Sequence, residues 1–225
     1  LIKVAKKVIA YELDKNLSTT YLNPLAILHP NLEIKNEDVL NSKSNPNPNS
    51  DPISKLVGAV PYQITSPLLH KVIFELADTP SRLGQKPNII FIVQKEVAEK
   101  ICSKPPKATY LSNFVSLYGL AEIIGPPIPP AAFYPEPKIY SSIVKISPVE
   151  MGHATSLRTA RTLSRFLHRG FKNPRKMLNK AFPVDVLKTA GIDPSLRPQN
   201  LSLDEWVRLF DILKSDAHLP IAPVG

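Results

Sequence analysis

The stretch from Leu56 to Leu69 constrains this chain more than any other. Lys55 to Val57 reads as a short strand, Gly58 lets the backbone turn, and Pro61 and Tyr62 stiffen the segment beyond it. Ser66 and Pro67 then open a helix, Ser66 as its N-cap and Pro67 at the first helical position, where a missing N–H costs nothing. Tyr62 is thereby held at the C-terminal end of a strand. In open α/β sheets, ligands bind in the crevice beyond those ends. A tyrosine there offers a flat face to a planar ligand, and a ring that simply packs a turn against the core fits the same residues equally well.

The chain as a whole reads as α/β with a helical tail. Its 225 residues are ample for a buried core. Of the 24 prolines, the dense groups at 46–52, 104–106 and 126–137 mark loops. No apolar run reaches the roughly 18 residues that a membrane-spanning helix needs. The single cysteine, Cys102, leaves no internal disulfide and no Cys-x-x-Cys pair for zinc, so no cysteine-bound metal is expected, and it reads as a small residue near a helix end. With no signal peptide visible, the expected compartment is the cytoplasm. The 28 lysines and arginines against 19 acids give a net charge of +9, which calls for a polyanionic partner, nucleic acid first.

Taken in order, Val8 to Asp14 is expected to be a buried strand ending in the acids Glu12 and Asp14, followed by a helix from Asn16 to Ile27 with Leu17, Tyr21, Leu25 and Leu28 on one face. Leu32 to Lys35 is a second strand, with a turn carrying Asp38 after it. Residues 41–52, all Asn, Ser, Pro, Lys, Asp and the like, form a low-complexity loop. A helix from Pro67 to Leu76, the strand Asn88 to Gln94, a helix from Thr109 to Tyr118 and a strand from Ala121 to Ile124 lead to the proline-rich segment 126–138. That segment fits neither a helix nor an inner strand. Ser141 to Ile146 closes the sheet. From Ser156 to Lys172, Leu157, Ala160, Leu163, Leu167 and Phe171 form an apolar stripe, and Arg158, Arg161, Arg165, Arg169 and Lys172 a basic one at the same spacing. Five like charges on one helical face repel one another, so a polyanion is the economical explanation, with a solvated face as the alternative. Arg175, Lys176 and Lys180 continue the basic surface, and Ser202 to Glu205 is a capping box ahead of Trp206, Leu209, Phe210 and Leu213.

Several of these segments resemble, in the same order, the motifs of the ribosomal RNA adenine dimethyltransferases, the family of the bacterial small-subunit dimethylating enzyme and the erythromycin-resistance methylases. Ala59-Val60-Pro61-Tyr62 is similar to its Asn-Leu-Pro-Tyr, Gln94 to Val97 to its Gln-Lys-Glu-Val, and Phe133 to Ser141 to its Phe-x-Pro-x-Pro-Lys-Val-x-Ser. Asn173 to Lys180 resembles its Gln-Arg-Arg-Lys-x-x-x-Asn helix, and Gly191-Ile192-Asp193-Pro194, Arg197-Pro198 and Leu201-Ser202 with Trp206 match its C-terminal domain, more like the small-subunit enzyme than the resistance methylases. The resemblance implies a Rossmann-like S-adenosylmethionine-dependent methyltransferase domain over 1–148 and a small all-α RNA-binding domain over 149–225. It implies methylation, in two steps, of an adenine's exocyclic amine in small-subunit ribosomal RNA or a pre-ribosomal particle, by a monomer. It places Tyr62 and Phe133 on the two faces of a flipped adenine, with Ala59, Val60 and Pro61 beside its amine. It gives Glu12 to the cofactor's ribose, because a carboxylate's two oxygens suit a vicinal diol, and Asp38 to its adenine, with Ala59 near both ligands.

Two departures bear on activity. The family's first strand and glycine-rich loop have no counterpart, since the chain begins at Leu1 just before the second strand. It is therefore expected to be N-terminally incomplete, and the intact mass of the native protein would then exceed 24.9 kDa by several kilodaltons. Ala59 also lacks the side-chain acceptor of the family's asparagine. Both favour an alternative in which the protein is a weak or inactive homologue that binds ribosomal RNA during subunit assembly. Either way, affinity for that RNA in a filter-binding titration is expected to fall steeply as salt rises, because counterions compete for the phosphates; an affinity indifferent to salt would refute the basic surface as the RNA contact.

Overall fold

The computed structural model describes residues 1–42, 53–78, 86–149 and 157–215, so most of the low-complexity loop lies outside the described residues. The chain divides into two compact units, Leu1–Asp51 with Ser66–Val72, and Pro52–Thr65 with Ile73–Gly225.

In the first unit, strand β1 (Val8–Tyr11) pairs in parallel with β2 (Leu32–Lys35), Val8 opposite Leu32 and Tyr11 opposite Lys35. The connection is helical from Lys15 to Leu28, but not one regular helix. It comprises α1 (Lys15–Leu17), a π turn over Ser18–Leu22, and α2 (Asn23–Leu28). Asp14 caps it, its Oδ1 accepting from the backbone of Asn16 at 2.7 Å and Leu17 at 3.1 Å. The π turn alters the angular step between side chains, and the face expected to pack is exposed at all four positions, Leu17, Tyr21, Leu25 and Leu28. The buried residue of the segment is Ser18, whose hydroxyl accepts from Asn36 Nδ2 at 3.2 Å. The same amide donates to the carbonyls of Glu12 at 2.8 Å and Leu13 at 3.3 Å, fastening the end of β1 to the end of β2.

The second unit holds a four-stranded sheet in the order β3 (Lys55–Ala59), β4 (Asn88–Gln94), β6 (Ser141–Pro148), β5 (Gly119–Ile128). β3 is parallel to β4, and β6 runs antiparallel to both β4 and β5. In β4 the alternation is strict, with Ile89, Phe91 and Val93 buried, and on β6 Val144 and Ile146 join them. β5 runs further than the sequence suggested, through Pro126 and Pro127 to Ile128, with a register irregularity between Ile124 and Ile128. An edge strand tolerates prolines because half its N–H groups face away from the sheet.

Helices α3 (Thr65–Asp78), α4 (Lys95–Ile101) and α5 (Tyr110–Ser116) connect the strands. Ser66 lies inside α3 rather than capping it, because a 3-10 turn over Tyr62–Ile64 runs straight into the helix and Ile64 N already donates to Pro61 O at 3.0 Å. Thr109 and Ser112 form a reciprocal capping box for α5. After it come α6 (Leu157–Phe171), α7 (Val184–Thr189) and α8 (Leu203–Ser215). α6 is tied to α5 by the Tyr110–Ser164 hydroxyl pair at 3.1 Å, Ala160, Leu163, Phe166 and Leu167 are its buried hydrophobic residues among those described, and the Leu157 side chain lies outside the described residues. Trp206, fully buried on α8, sits among Phe166, Phe171 and Phe182 at ring separations of 5.9, 5.6 and 6.0 Å. The Ser202–Glu205 box opens α8, with Ser202 N donating to Glu205 Oε2 at 2.8 Å and Glu205 N to Ser202 Oγ at 3.3 Å.

This packing has two measurable consequences. A Cβ on Gly170 would stand 2.4 Å from Trp206 Cη2 and 2.7 Å from Cζ3, atoms of a ring enclosed by three others. Gly170→Ala, which in an open helix would stabilise by roughly 1 kcal/mol, is therefore expected to destabilise by about 1–3 kcal/mol through overpacking. Urea unfolding followed by the fluorescence of Trp206 measures it. The half-buried Cys102 at the end of α4 has its thiol pushed up to about 11 by burial. Its folded-state alkylation by iodoacetamide at pH 8 should be about 100-fold slower than that of an unperturbed thiol, because only the thiolate reacts, and should approach the free-thiol rate in urea.

Candidate active site

The residues singled out by sequence fall into three groups, one at the strand ends of each sheet and one on the C-terminal helices. In the first unit, Glu12 and Asp38 stand just beyond the carboxyl ends of β1 and β2, which the parallel register brings side by side. One Glu12 oxygen accepts from Asp14 N at 2.8 Å, within a local turn. Asp38 closes its own turn, Oδ1 accepting from Leu40 N at 2.8 Å and Oδ2 from the Asn41 amide at 3.3 Å. Neither carboxylate is held by a cation among the described residues. Asn36, which fixes the backbone beneath Glu12, was not foreseen; an amide among charged neighbours at a strand end gives no periodic signal.

In the second unit, the topology gathers four chain ends at one edge of the sheet: the C-termini of β3, β4 and β5 and the start of β6, paired through Ala59 with Ile92, Gln94 with Ser141 and Ile128 with Ser141. Ala59 is exposed, so a larger side chain would have room there. Val60 is buried; its N–H donates to Ile92 O at 3.1 Å, and its carbonyl accepts no hydrogen bond among the described residues. Pro61, with φ −54° and ψ 133°, turns the chain into the 3-10 turn that carries Tyr62.

The Tyr62 ring is half-buried, and its hydroxyl shares a 2.8 Å hydrogen bond with the hydroxyl of Ser141. Ser141 ends the loop that begins at Pro129 and includes a 3-10 turn over Pro130–Ala132, directly after which stands Phe133, half-buried and backbone-bonded to Pro130 O at 3.0 Å. Gln94 N-caps α4 and the next residue, Lys95, donates its N–H to Tyr140 O at 3.0 Å, so the Gln-Lys-Glu-Val segment closes the same loop. Tyr62 and the Phe133 loop are thus brought to one end of the sheet and share an anchor. Their rings do not stack on each other, and neither ring packs on a third one among the described residues. Ser141 was visible in the sequence as the last residue of its motif, without a role.

On the C-terminal helices, Arg161, Arg165, Arg169 and Lys172 are exposed, as are Arg175, Lys176 and Lys180. Arg158 lies in α6, and its side chain is outside the described residues. No acidic side chain among the described residues pairs with any of these cations. Two of them rest on rings: the Arg161 guanidinium lies 5.7 Å from the centre of Phe74, and that of Arg169 lies 5.6 Å from the centre of Phe182. Arg169, Lys176 and Lys180 line one shallow cleft. Asn173 to Lys180 is not a helix. α6 ends at Phe171, a single 3-10 turn covers Leu178–Lys180, and Leu178 N and Asn179 N donate instead to Leu196 O at 2.7 Å and Pro194 O at 3.1 Å, so the end of the Gly-Ile-Asp-Pro turn and the residues just after it take the donors a helix would have used.

Known proteins match this arrangement along nearly the whole chain. Over 165 residues it is 30% identical to ribosomal RNA small subunit methyltransferase A of Sulfurihydrogenibium sp. (strain YO3AOP1), an alignment covering 72% of this chain and 59% of that protein. With the protein of the same name from Synechococcus sp. (strain CC9311) it shares 32% identity over 222 residues, 93% of this chain and 77% of the relative. The chain thus spans about three-fifths of the length of the first relative and about three-quarters of the second. In three dimensions it resembles a dimethyladenosine transferase from Plasmodium falciparum, with a TM-score of 0.73 over 96% of this chain and 85% of the other at 20% identity, which establishes a shared Rossmann-like fold. The sequence profile of ribosomal RNA adenine dimethylases matches residues 1–215, and with that match over both the strand-end residues and the basic helices, the chain belongs to the ribosomal RNA adenine dimethylase family.

Proposed function

We propose that this protein transfers methyl groups from S-adenosylmethionine to the exocyclic amine of an adenine in small-subunit ribosomal RNA, with 1–148 as the methyltransferase domain and 149–225 as the RNA-binding domain. The observation that carries the reading is at the end of β3, where the carbonyl of Val60, unpaired among the described residues, stands two residues before an anchored, half-buried tyrosine ring. A free acceptor beside a flat apolar face suits an aminopurine: its amine donates, and its ring stacks. Stacking on an aromatic side chain contributes about 1–3 kcal/mol per base, which offsets part of the cost of drawing the base out of its stack. Phe133, on the loop fastened to the same anchor, supplies the second face.

Glu12 and Asp38 fit the cofactor. Both are carboxylates without a cation among the described residues, beyond the ends of neighbouring parallel strands, where this class of fold receives its nucleotide. One Glu12 oxygen remains for a ribose hydroxyl, and Asp38 Oδ2, carrying only a 3.3 Å bond, can accept from an adenine amine. Bound there, S-adenosylmethionine supplies a methyl group already activated by the sulfonium. The protein's part is to hold the amine nitrogen in line, exclude water and accept the amine's hydrogens so that its lone pair faces the methyl carbon. The Val60 carbonyl accepts one of those hydrogens, and at Ala59 no side chain accepts the other. The cations of α6 and of residues 172–180, which pair with no acid among the described residues, meet RNA phosphates, and Arg161 and Arg169, braced on Phe74 and Phe182, lose less freedom on binding than free arginines do.

Labelled methyl transfer to small-subunit ribosomal RNA, with digestion to nucleosides, tests the reading: methylated adenine is the expected product, and RNA binding without transfer would convert the proposal into the assembly-factor alternative. Restoring the missing acceptor by Ala59→Asn, which the exposed site accommodates, should raise the transfer rate by roughly 100- to 1000-fold, the usual effect of one preorganised hydrogen-bond partner in an active site. Equal rates in the two proteins would refute the role assigned to position 59.

A further inference from the structure

Ser141 is the only buried residue between Phe133 and the start of β6, and its relative exposure is 0%. A hydroxyl so removed from water needs a partner. The partner it has is the Tyr62 hydroxyl, 2.8 Å away and 79 residues distant in sequence. The bond is not needed to hold the strand. The backbone of Ser141 is already paired with Gln94 on one side and Ile128 on the other, and a valine or alanine would make the same ladder. At the other end, Tyr62 rides on a three-residue 3-10 turn, and no other ring packs against it among the described residues. The bond is the one side-chain hydrogen bond of Tyr62 among the described residues, and losing it would leave the half-buried ring more orientational freedom to be removed each time a base bound.

We infer that Ser141 is a positioning residue, whose hydroxyl fixes the Tyr62 ring in the orientation that receives the target base. The inference rests on the proposed function, in which Tyr62 stacks on adenine, and it assigns the last residue of the Phe133–Ser141 segment a task that its neighbours do not share. Phe133 touches the base; Ser141 acts through Tyr62. The hydrogen bond also makes the Tyr62 hydroxyl, rather than only its ring, part of the site: a phenylalanine would offer the same stacking face without the tether and would leave the buried Ser141 hydroxyl without its partner.

A double-mutant cycle on the protein from its native source, assayed for labelled methyl transfer to small-subunit ribosomal RNA, tests this. Ser141→Ala and Tyr62→Phe should each lower kcat by about 3- to 10-fold, the usual range for one hydrogen bond, and the double variant should fall no further than either alone. KM for RNA should stay within about 2-fold in Ser141→Ala, because backbone phosphates dominate affinity. Losses that multiply in the double variant, or a lowered melting temperature with unchanged kcat, would overturn the inference and leave Ser141 a packing residue. If Ser141→Ala does not fold, Tyr62→Phe removes the same bond from its half-exposed end, and an unchanged kcat there overturns the inference equally. Tyr62→Ala separates the two readings: if it abolishes transfer while Tyr62→Phe and Ser141→Ala are silent, only Ser141's role fails, whereas full activity in Tyr62→Ala, or no transfer by the unaltered protein, overturns the proposed function itself.

Discussion

The second unit depends on the pairing of β4. It is hydrogen-bonded on both edges, to β3 in parallel and to β6 in antiparallel register, and its three buried side chains carry the middle of the sheet. Those opposite senses decide where the candidate site is. A parallel neighbour ends where β4 ends, and an antiparallel neighbour begins there, so Ala59, Gln94 and Ser141 arrive at one edge although they are far apart in sequence. A one-residue slip between β4 and β6 would turn Ser141 to the opposite face and break its contact with Tyr62. The buried alternation of Ile89, Phe91 and Val93 is therefore as much a part of the site as the tyrosine is.

The features legible in the sequence divide from the rest along physical lines. β4 was plain because its unbroken run of apolar, mostly β-branched residues has only one comfortable environment, and α8 was plain because its capping box and apolar spacing agree. The apolar stripe of α6 was likewise legible at Ala160, Leu163, Leu167 and Phe171, and it missed Phe166, which joined the cluster around Trp206. The start of α3 was misplaced because Ser-Pro is a good cap locally, yet the chain had already begun to coil at Tyr62. The face of Leu17, Tyr21, Leu25 and Leu28 failed for a different reason: a period of 3.6 was assumed where five residues coil with a wider turn. Ser141 and Asn36 were not legible as partners at all, because each bond joins residues brought together only by the sheet.

The basic surface shows the same dependence on packing. Sequence spacing put five cations on one face of α6, and spacing alone gives them equal standing. The structure distinguishes them. Arg161 and Arg169 lie over aromatic rings, where the guanidinium keeps its charge while its reach is fixed, whereas Arg165 and Lys172 extend into solvent. A cation stacked on a ring gains on the order of 0.5–1 kcal/mol at an exposed site, enough to bias its orientation and too little to neutralise it. If the face meets RNA as proposed, its fixed charges would set where a phosphate sits and its mobile ones would add to attraction from any direction, combining register with affinity.

The edge of the sheet divides its labour in a comparable way. In the proposed function, stacking by Tyr62 and Phe133 would tolerate any base, because every base has a π face; discrimination for adenine would have to come from acceptors aimed at its amine. In that reading the Val60 carbonyl, which accepts no hydrogen bond among the described residues, would serve there, since the Ala59 side chain offers no acceptor. A site built so grips a base better than it identifies one. Under those conditions the orientation of the rings carries more of the selectivity than it would beside an asparagine, because a base is presented to the Val60 carbonyl only at the angle the rings impose. The tether from Ser141 to Tyr62 would then be the element that converts a general stacking platform into a directional one, and the full burial of Ser141 limits competition by water at that end of the bond.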